Sequence, residues 1–509
     1  MTPSARPVAA LWLLVGLQAA VSAASLVVEI VAGRMIAPYV GMSLYTWTAI
    51  IAVVLAGFSV GHWWGGRIAA KRFDAALRIT GWTLVGAAVT TAAATLLLRT
   101  VAGPVLETLE NPLAAITALT SLVFFLPSLF AGVPAPVLAV AAMRRQSGGE
   151  QALGAMFAAG AVGAIAGTLL AGFLFISWLG SVMTLALITA VYSVAALICF
   201  RLGAVALSRI AAPIMALVIA IGVSGYGAAL PSACDEESRY YCIRTVDLSG
   251  DPADPVRLMV IDHLAHGVSA RAAPRVMFTD HTAMLDALPR MRMAGRNFSS
   301  FHIGGGSYSV PRAWADRGLS QITVAEIDPA VTRIAKDDFW FEDAVVKVVH
   351  KDARIALKTD PTRYDVIIGD AFTDIAVPAH LVTLEFFELV ASRLSPGGVY
   401  VMNLVDHSDR LDTLSALVAT LGEVFPSVEV WTEARPPGPA ERRVFVLLAS
   451  EGDSEQSEIV TRTPEPKRFA ALDPGFVSQI IADKQPVILT DDFAPIERLV
   501  GLEPVIDRQ

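Results

Sequence analysis

Seven apolar stretches fill the first 230 residues, at roughly 8–33, 45–62, 79–98, 114–143, 153–177, 180–200 and 208–230. Each reaches the roughly 20 residues that a helix needs to cross about 30 Å of hydrocarbon. A soluble core has no room for so many runs of that length, so residues 1–230 are expected to form a multi-pass helical membrane domain of about seven helices. Charge divides the chain at the same place. Residues 1–230 carry 16 charged side chains and the remaining 279 carry 70, the second density being ordinary for a soluble domain. Net charge is +6 in the first part and −14 in the second. That excludes a disordered chain, a single uniform globule and a nucleic-acid binder working through a basic face.

The first run has a longer apolar core than a cleaved leader and no clear cleavage site after it, so it reads as a retained span. Pro127, Pro134 and Pro136 predict a kinked helix over 114–143. Gly160, Gly163 and Gly167 predict close helix packing. Glu29 is a carboxylate inside the first run, where an ionisable group calls for a partner or a function; Arg34 is near enough to be that partner. Cationic loops at 63–78, 144–152 and 201–209 alternate with loops poor in cations. This places the three on the cytoplasmic side of an inner membrane and the soluble part on the exoplasmic side, with the cytoplasmic placement as the alternative. Cys234 and Cys242 lie where the soluble part begins, and an oxidising compartment would permit a disulfide between them. Cysteine and histidine spacing gives no metal site.

From about 296 onward short β-rich runs alternate with helical periodicity. Strands are expected at 299–303, 321–326, 344–349, 364–369, 398–403, 427–432 and 443–448, and helices at 311–318, 329–338, 381–394 and 409–423. The alternation predicts an α/β domain with a mostly parallel sheet and helices on both faces, a Rossmann-like domain over 296–450. Residues 231–295 read as a small β lobe. Residues 451–509 read as a linker and C-terminal segment, with 451–468 as an exposed loop.

The chemistry sits at strand ends. Gly304, Gly305 and Gly306 follow the first strand and open a helix, where small residues and free N–H groups allow close approach of a ligand. Glu326 ends the second strand, twenty positions on, where a carboxylate suits ribose hydroxyls. Asp352 and Ala353 follow the third strand, suited to an adenine amino group, and Asp370 ends the fourth. Any one of these acids could equally cap a helix or close a turn. Together they predict one nucleoside crevice.

The runs IGGGSYSVPR (303–312), AEIDPAV (325–331), DAR (352–354), YDVIIGDAF (364–372), LVTLEFFELV (381–390) and LSPGGVYVMNL (394–404) resemble the spermidine synthase family of polyamine aminopropyltransferases. EIVAGRMIAPYVGMSLYTW (29–47), GHWWGGR (61–67) and LTDDFAPIERL (489–499) resemble its branch fused to N-terminal transmembrane helices. GHWWGGR also looks like the cytoplasmic loop between the second and third helices of major-facilitator transporters.

The resemblance implies a class I methyltransferase-type fold and transfer of an aminopropyl group from decarboxylated S-adenosylmethionine to putrescine. It also implies Glu326 on the ribose, Asp352 on the adenine and Asp370 as proton acceptor, with a homodimer through the soluble domain. An alkylamine with a pKa near ~10.4 is protonated at neutral pH and has no lone pair until a carboxylate takes its proton. The sulfonium is already an activated leaving group, so no metal or cofactor is called for. Asp280, Asp374 and Glu385 are candidates for a diamine's far end, each also readable as a solvated surface charge. Asp491 and Asp492 are placed either to reach the pocket or to cap a helix, with capping the favoured reading.

The sequence departs from the family on the amine side. Ser307 stands where an acid is usual, Tyr241 replaces a glutamine, Asp370 and Asp374 are four apart instead of three, and Phe278-Thr279-Asp280-His281 matches the gate segment poorly. These departures leave open a nucleoside- or polyamine-binding sensor without turnover. Glu29 and the transporter-like segment leave open polyamine transport by the helical half.

Overall fold

A computed structural model describes residues 11–109, 111–144, 149–205, 210–372 and 376–501. Asp374, and the loop charges Glu110, Arg145 and Arg209, lie outside the described residues. The chain divides into two compact units, between Cys242 and Ile243 in sequence.

The first unit holds α1 (Leu11–Val40), α2 (Leu44–Ala69), α3 (Phe73–Thr108), α4 (Pro112–Gly132), α5 (Pro134–Met143), α6 (Gly149–Leu170), α7 (Ile176–Leu202) and α8 (Ala211–Ala229), then a two-residue strand β1 (Glu236–Glu237). Among the described residues, six helical stretches are long and apolar enough to cross a membrane. The α4 and α5 helices count as one, interrupted at Val133 because Pro134 has no N–H to continue the ladder. The α6 and α7 helices, joined by a π-helical turn over Ala171–Phe175, count as another of 54 residues. That stretch leaves helical geometry at Gly180 (φ 72°, ψ 173°).

Close contacts give the helix directions. Gly57, Gly61 and Gly65 of α2 meet, in that order, Ser128, Leu129 and Val133, so α2 and α4 are parallel. Gly163 and Gly167 of α6 lie on Ala19 and Ala23 of α1, again parallel. Gly81 meets Phe200 while Gly203 meets Arg78, so α3 and α7 are antiparallel. With α1, α2 and α3 joined by three-residue turns, the chain must reverse at Gly180. GHWWGGR lies inside the last turns of α2, not in a loop as its resemblance implied: its small residues Gly61 and Gly65 face α4, and the turn is only residues 70–72.

Arg34 does not pair with Glu29. Its guanidinium donates to the carbonyls of Ser238 (3.0 Å) and Tyr240, and Glu237 lies 3.9 Å away. Glu237 in turn accepts from the Ser181 N–H (2.8 Å) and hydroxyl. Cys234 and Cys242 are disulfide-bonded, with their Cα atoms 5.2 Å apart. Glu29 sits half-buried on α1 with no hydrogen bond or ion pair among the described residues.

In the second unit β2 (Cys242–Asp247), β3 (Val256–Ile261) and β4 (Leu264–Ala270) form an antiparallel meander. Among the described residues the main sheet has nine strands: β5 (Ser300–Ile303), β6 (Ile322–Ala325), β7 (Val346–Val349), β8 (Tyr364–Gly369), β9 (Leu394–His407), β10 (Ser427–Glu433), β11 (Arg442–Ser450), β12 (Glu458–Thr461) and β13 (Lys467–Ala471). Their order is β12-β13-β10-β11-β9-β8-β5-β6-β7. The last five in that order are mutually parallel and the first four antiparallel. The sheet is therefore less parallel than its sequence pattern suggests: α14 carries the chain from β9 across to β10, and β11 then returns by a hairpin to lie antiparallel between the two. Residues 451–468, read as an exposed loop, carry β12 and the start of β13; polar residues are common on an edge strand with one face in water.

The helices are α9 (Asp280–Arg292), α10 (Ser309–Asp316), α11 (Pro329–Asp338), α12 (Ala353–Thr359), α13 (Leu384–Arg393), α14 (Asp412–Gly422), α15 (Pro474–Lys484) and α16 (Ile496–Val500). Helices α9 and α14 both pack on β9 and β11 yet belong to separate helix groups, α9 with α10 and α14 with α13, α15 and α16. The sheet is thus covered on both faces, which is why β5 and β6 are buried at every position and read as continuous apolar-rich runs. Strand order reverses between β5 and β8, and in open α/β sheets the crevice at the carboxyl ends of such strands is where ligands bind.

Candidate active site

The carboxyl ends of β5, β6, β7 and β8 are stitched together by backbone hydrogen bonds. Asp370 N–H donates to Ile303 (3.0 Å), Gly304 N–H to Ala325 (3.0 Å) and Glu326 N–H to Val349 (3.1 Å). Gly304, Glu326 and Asp370 thus share one rim. Gly304 has φ +91°, and a Cβ there would sit 2.5 Å from the Asp370 carbonyl oxygen, so only glycine lets β5 and β8 close at this point. Gly305 lies against the buried ring of Tyr308, which stacks on Phe341 at 4.1 Å and shares a 2.7 Å hydrogen bond with Thr332. Gly306, with φ +50°, turns the chain toward α10.

Glu326 is buried, with both carboxylate oxygens on backbone donors: Gly305 N–H at 2.8 Å and Asp328 N–H at 2.9 Å. Burial raises its carboxyl to about 7, against the opposing pull of those N–H groups. Asp328 caps α11 through Ala330 N–H at 2.9 Å.

Asp352 caps α12, accepting from Ile355 N–H at 2.9 Å, and its second oxygen lies 2.8 Å from His380 Nε2. Ala353 is the first residue of that helix and buried. On the same side the Arg354 guanidinium grips Asp491 through two bonds of 2.6 Å, and Thr383 donates to Asp491 at 2.7 Å. Asp491 therefore caps no helix; Thr383 caps α13, and Asp491 ties that cap to α12. Asp492 is exposed.

Asp370 is half-buried and accepts from Asn403 Nδ2 at 2.9 Å. Two of the three amine-side candidates are engaged by other groups. Asp280 pairs with Lys467 at 2.7 Å, and Glu385 accepts from the Asp491 N–H at 2.9 Å. Ser307 is buried, sharing a 2.7 Å bond with Ser309, which is tied to Ser269 and to the Val268 carbonyl of β4. His266, the β4 residue whose carbonyl lies nearest Gly306, is held neutral, its pKa lowered to about 4 by burial and then by His281 and His263. Asn403 and His380 escaped the sequence reading. A lone amide inside the apolar run VYVMNLV was the available signal for the first, while His380 meets Asp352 only through folding.

Five parallel strands reversing at β5 and β8, helices on both faces and antiparallel strands beyond β9 make this a Rossmann-like domain of the methyltransferase type. The sequence model of the spermine/spermidine synthase domain matches residues 302–453. A polyamine aminopropyltransferase of Vibrio vulnificus is 31% identical over 228 residues, 41% of this chain and 74% of that protein. A probable polyamine aminopropyl transferase of Bifidobacterium longum is 32% identical over 194 residues, 35% of this chain but only 43% of that protein. A crystal structure of a probable spermidine synthase from Corynebacterium glutamicum aligns over 52% of this chain and 99% of its own, at 24% identity and a TM-score of 0.45. The chain belongs to the spermine/spermidine synthase family.

Proposed function

We propose that the protein is a membrane-embedded aminopropyltransferase, moving an aminopropyl group from decarboxylated S-adenosylmethionine to an amine, with putrescine as the acceptor. The observation that carries this reading is the placement of Asp370 at the strand-order reversal, on the same rim as the Gly305–Glu326 pair. Glu326 and Gly304–Gly306 hold the ribose side and Asp352 the adenine amino group. The acceptor ammonium docks on Asp370, which takes its proton. The freed lone pair attacks the methylene carbon bonded to sulfur, the C–S bond breaks, and its electrons leave the neutral thioether methylthioadenosine. In-line placement of nitrogen, carbon and sulfur supplies much of the rate.

The test is release of methylthioadenosine from decarboxylated S-adenosylmethionine by the purified full-length protein when putrescine is added. Release independent of amine, or none, overturns the reading. Engagement of Asp280 and Glu385 elsewhere favours a second reading, a nucleoside-binding sensor. Calorimetry showing methylthioadenosine binding without any turnover would establish it.

The helical unit spans a bilayer seven times in this reading, counting the reversal at Gly180, and the Cys234–Cys242 disulfide fits an exoplasmic second unit. Reporter fusions after residues 145 and 235 decide the orientation: opposite sides are expected, and the same side overturns it. Sedimentation of the detergent-solubilised protein tests for the homodimer.

A further inference from the structure

We propose that Asn403 is a positioning residue that presents the Asp370 carboxylate to the acceptor amine; the proposal rests on the reading of Asp370 as proton acceptor. Gly369 of β8 pairs with Met402 of β9, so the next residues of the two parallel strands, Asp370 and Asn403, lie side by side. The amide Nδ2 donates to Asp370 Oδ1 at 2.9 Å. Its own Oδ1 is buried with no hydrogen-bond partner among the described residues.

The flanking residues Val401, Met402 and Leu404 are buried and apolar, and Asn403 itself is only 4% exposed. A half-satisfied amide on such a strand is a poor choice for stability, because an unmet buried acceptor carries its full desolvation cost. An aliphatic side chain of similar size would avoid that cost. What the amide supplies is one fixed donor to the carboxylate. It occupies Oδ1 and leaves Oδ2 as the oxygen that faces the amine. Asn403 neither gives nor takes a proton in the step.

The experiment compares Asn403→Leu with wild type in the full-length protein, reading thermal stability, methylthioadenosine affinity, kcat and the amine KM. Expected are a melting temperature equal to or above wild type and unchanged methylthioadenosine affinity. With these go a fall in kcat of tenfold or more and a raised putrescine KM, since the carboxylate loses the donor that holds it in place. A drop in stability with a matching loss of methylthioadenosine binding would assign Asn403 a purely structural role and overturn the proposal. So would wild-type kcat and KM in the variant. Wild-type protein that releases no methylthioadenosine overturns the aminopropyltransferase reading and this inference together, whereas normal wild-type turnover with an indifferent variant removes only the inference.

Discussion

Gly305 and Glu326 are joined across two strand ends by a 2.8 Å hydrogen bond from the glycine N–H to the carboxylate. The bond fixes the two strand ends against each other, and it places a buried acid whose protonation follows pH near neutrality.

Because burial lifts Glu326 to about 7 from its ordinary 4.5, the folded protein holds a proton there that the unfolded chain has released. Its contribution to stability is fully present below about 4.5 and is lost as pH rises through about 7, on the order of 3 kcal/mol. Glu326→Gln is expected to flatten that loss in melting curves taken between pH 5 and 8. Ribose hydroxyls donating to the carboxylate favour its charged form. Methylthioadenosine binding should therefore release a proton near pH 7, visible by calorimetry in buffers of different ionisation heat; no release would place the ribose elsewhere.

Asp370→Asn removes the proposed proton acceptor and keeps its shape. Turnover is expected to fall by about 10²–10⁴-fold, with methylthioadenosine affinity within twofold of wild type. An active Asp370→Asn protein would remove Asp370 from the chemistry.

Asp352 has two jobs that substitutions can separate, since it caps α12 and holds His380. Asparagine caps helices as well as aspartate does. Asp352→Asn should leave the melting temperature nearly unchanged while weakening methylthioadenosine about tenfold, the worth of one charge-assisted bond. Asp352→Ala should weaken binding and also cost about 1 kcal/mol in stability. Equal affinity in both variants and wild type would show that adenine lies away from Asp352.

The disulfide between Cys234 and Cys242 closes a short loop holding Glu237 and Ser238, the groups that engage Ser181 and Arg34. Cys234→Ser is expected to lower stability by about 2–3 kcal/mol, from the loop-closure entropy returned to the unfolded chain. Thiol labelling of native protein should modify neither cysteine until reductant is added; labelling beforehand would mean that the pair is reduced.

Helix packing in the first unit makes a sharper prediction. A Cβ on Gly61 would overlap the Leu129 carbonyl oxygen, which α4 cannot withdraw, whereas Gly66 on the same helix has nothing within 4 Å. Gly61→Val should abolish recoverable folded protein while Gly66→Ala leaves yield and melting temperature unchanged. Size-exclusion profiles of the two variants check this.

Apolar run length alone divided the chain, because a span must satisfy its own backbone in lipid and needs about 20 apolar residues in a row. Buried parallel strands likewise announce themselves, so β5, β6, β8 and the glycines and acids at their ends were legible one by one. Legibility stopped where partners come from distant sequence. GHWWGGR reads as a loop until α4 is seen lying on it. Asp491 reads as a cap until Arg354, 137 positions earlier, is found holding it. The antiparallel strands after β9, the Asp280–Lys467 pair and the Asn403 bond to Asp370 are of the same kind. Local sequence sets what each segment can form, since propensity and burial period act over a few residues. Which carboxylates stay free and which are consumed depends on contacts between segments tens to hundreds of residues apart, and only the folded chain decides that.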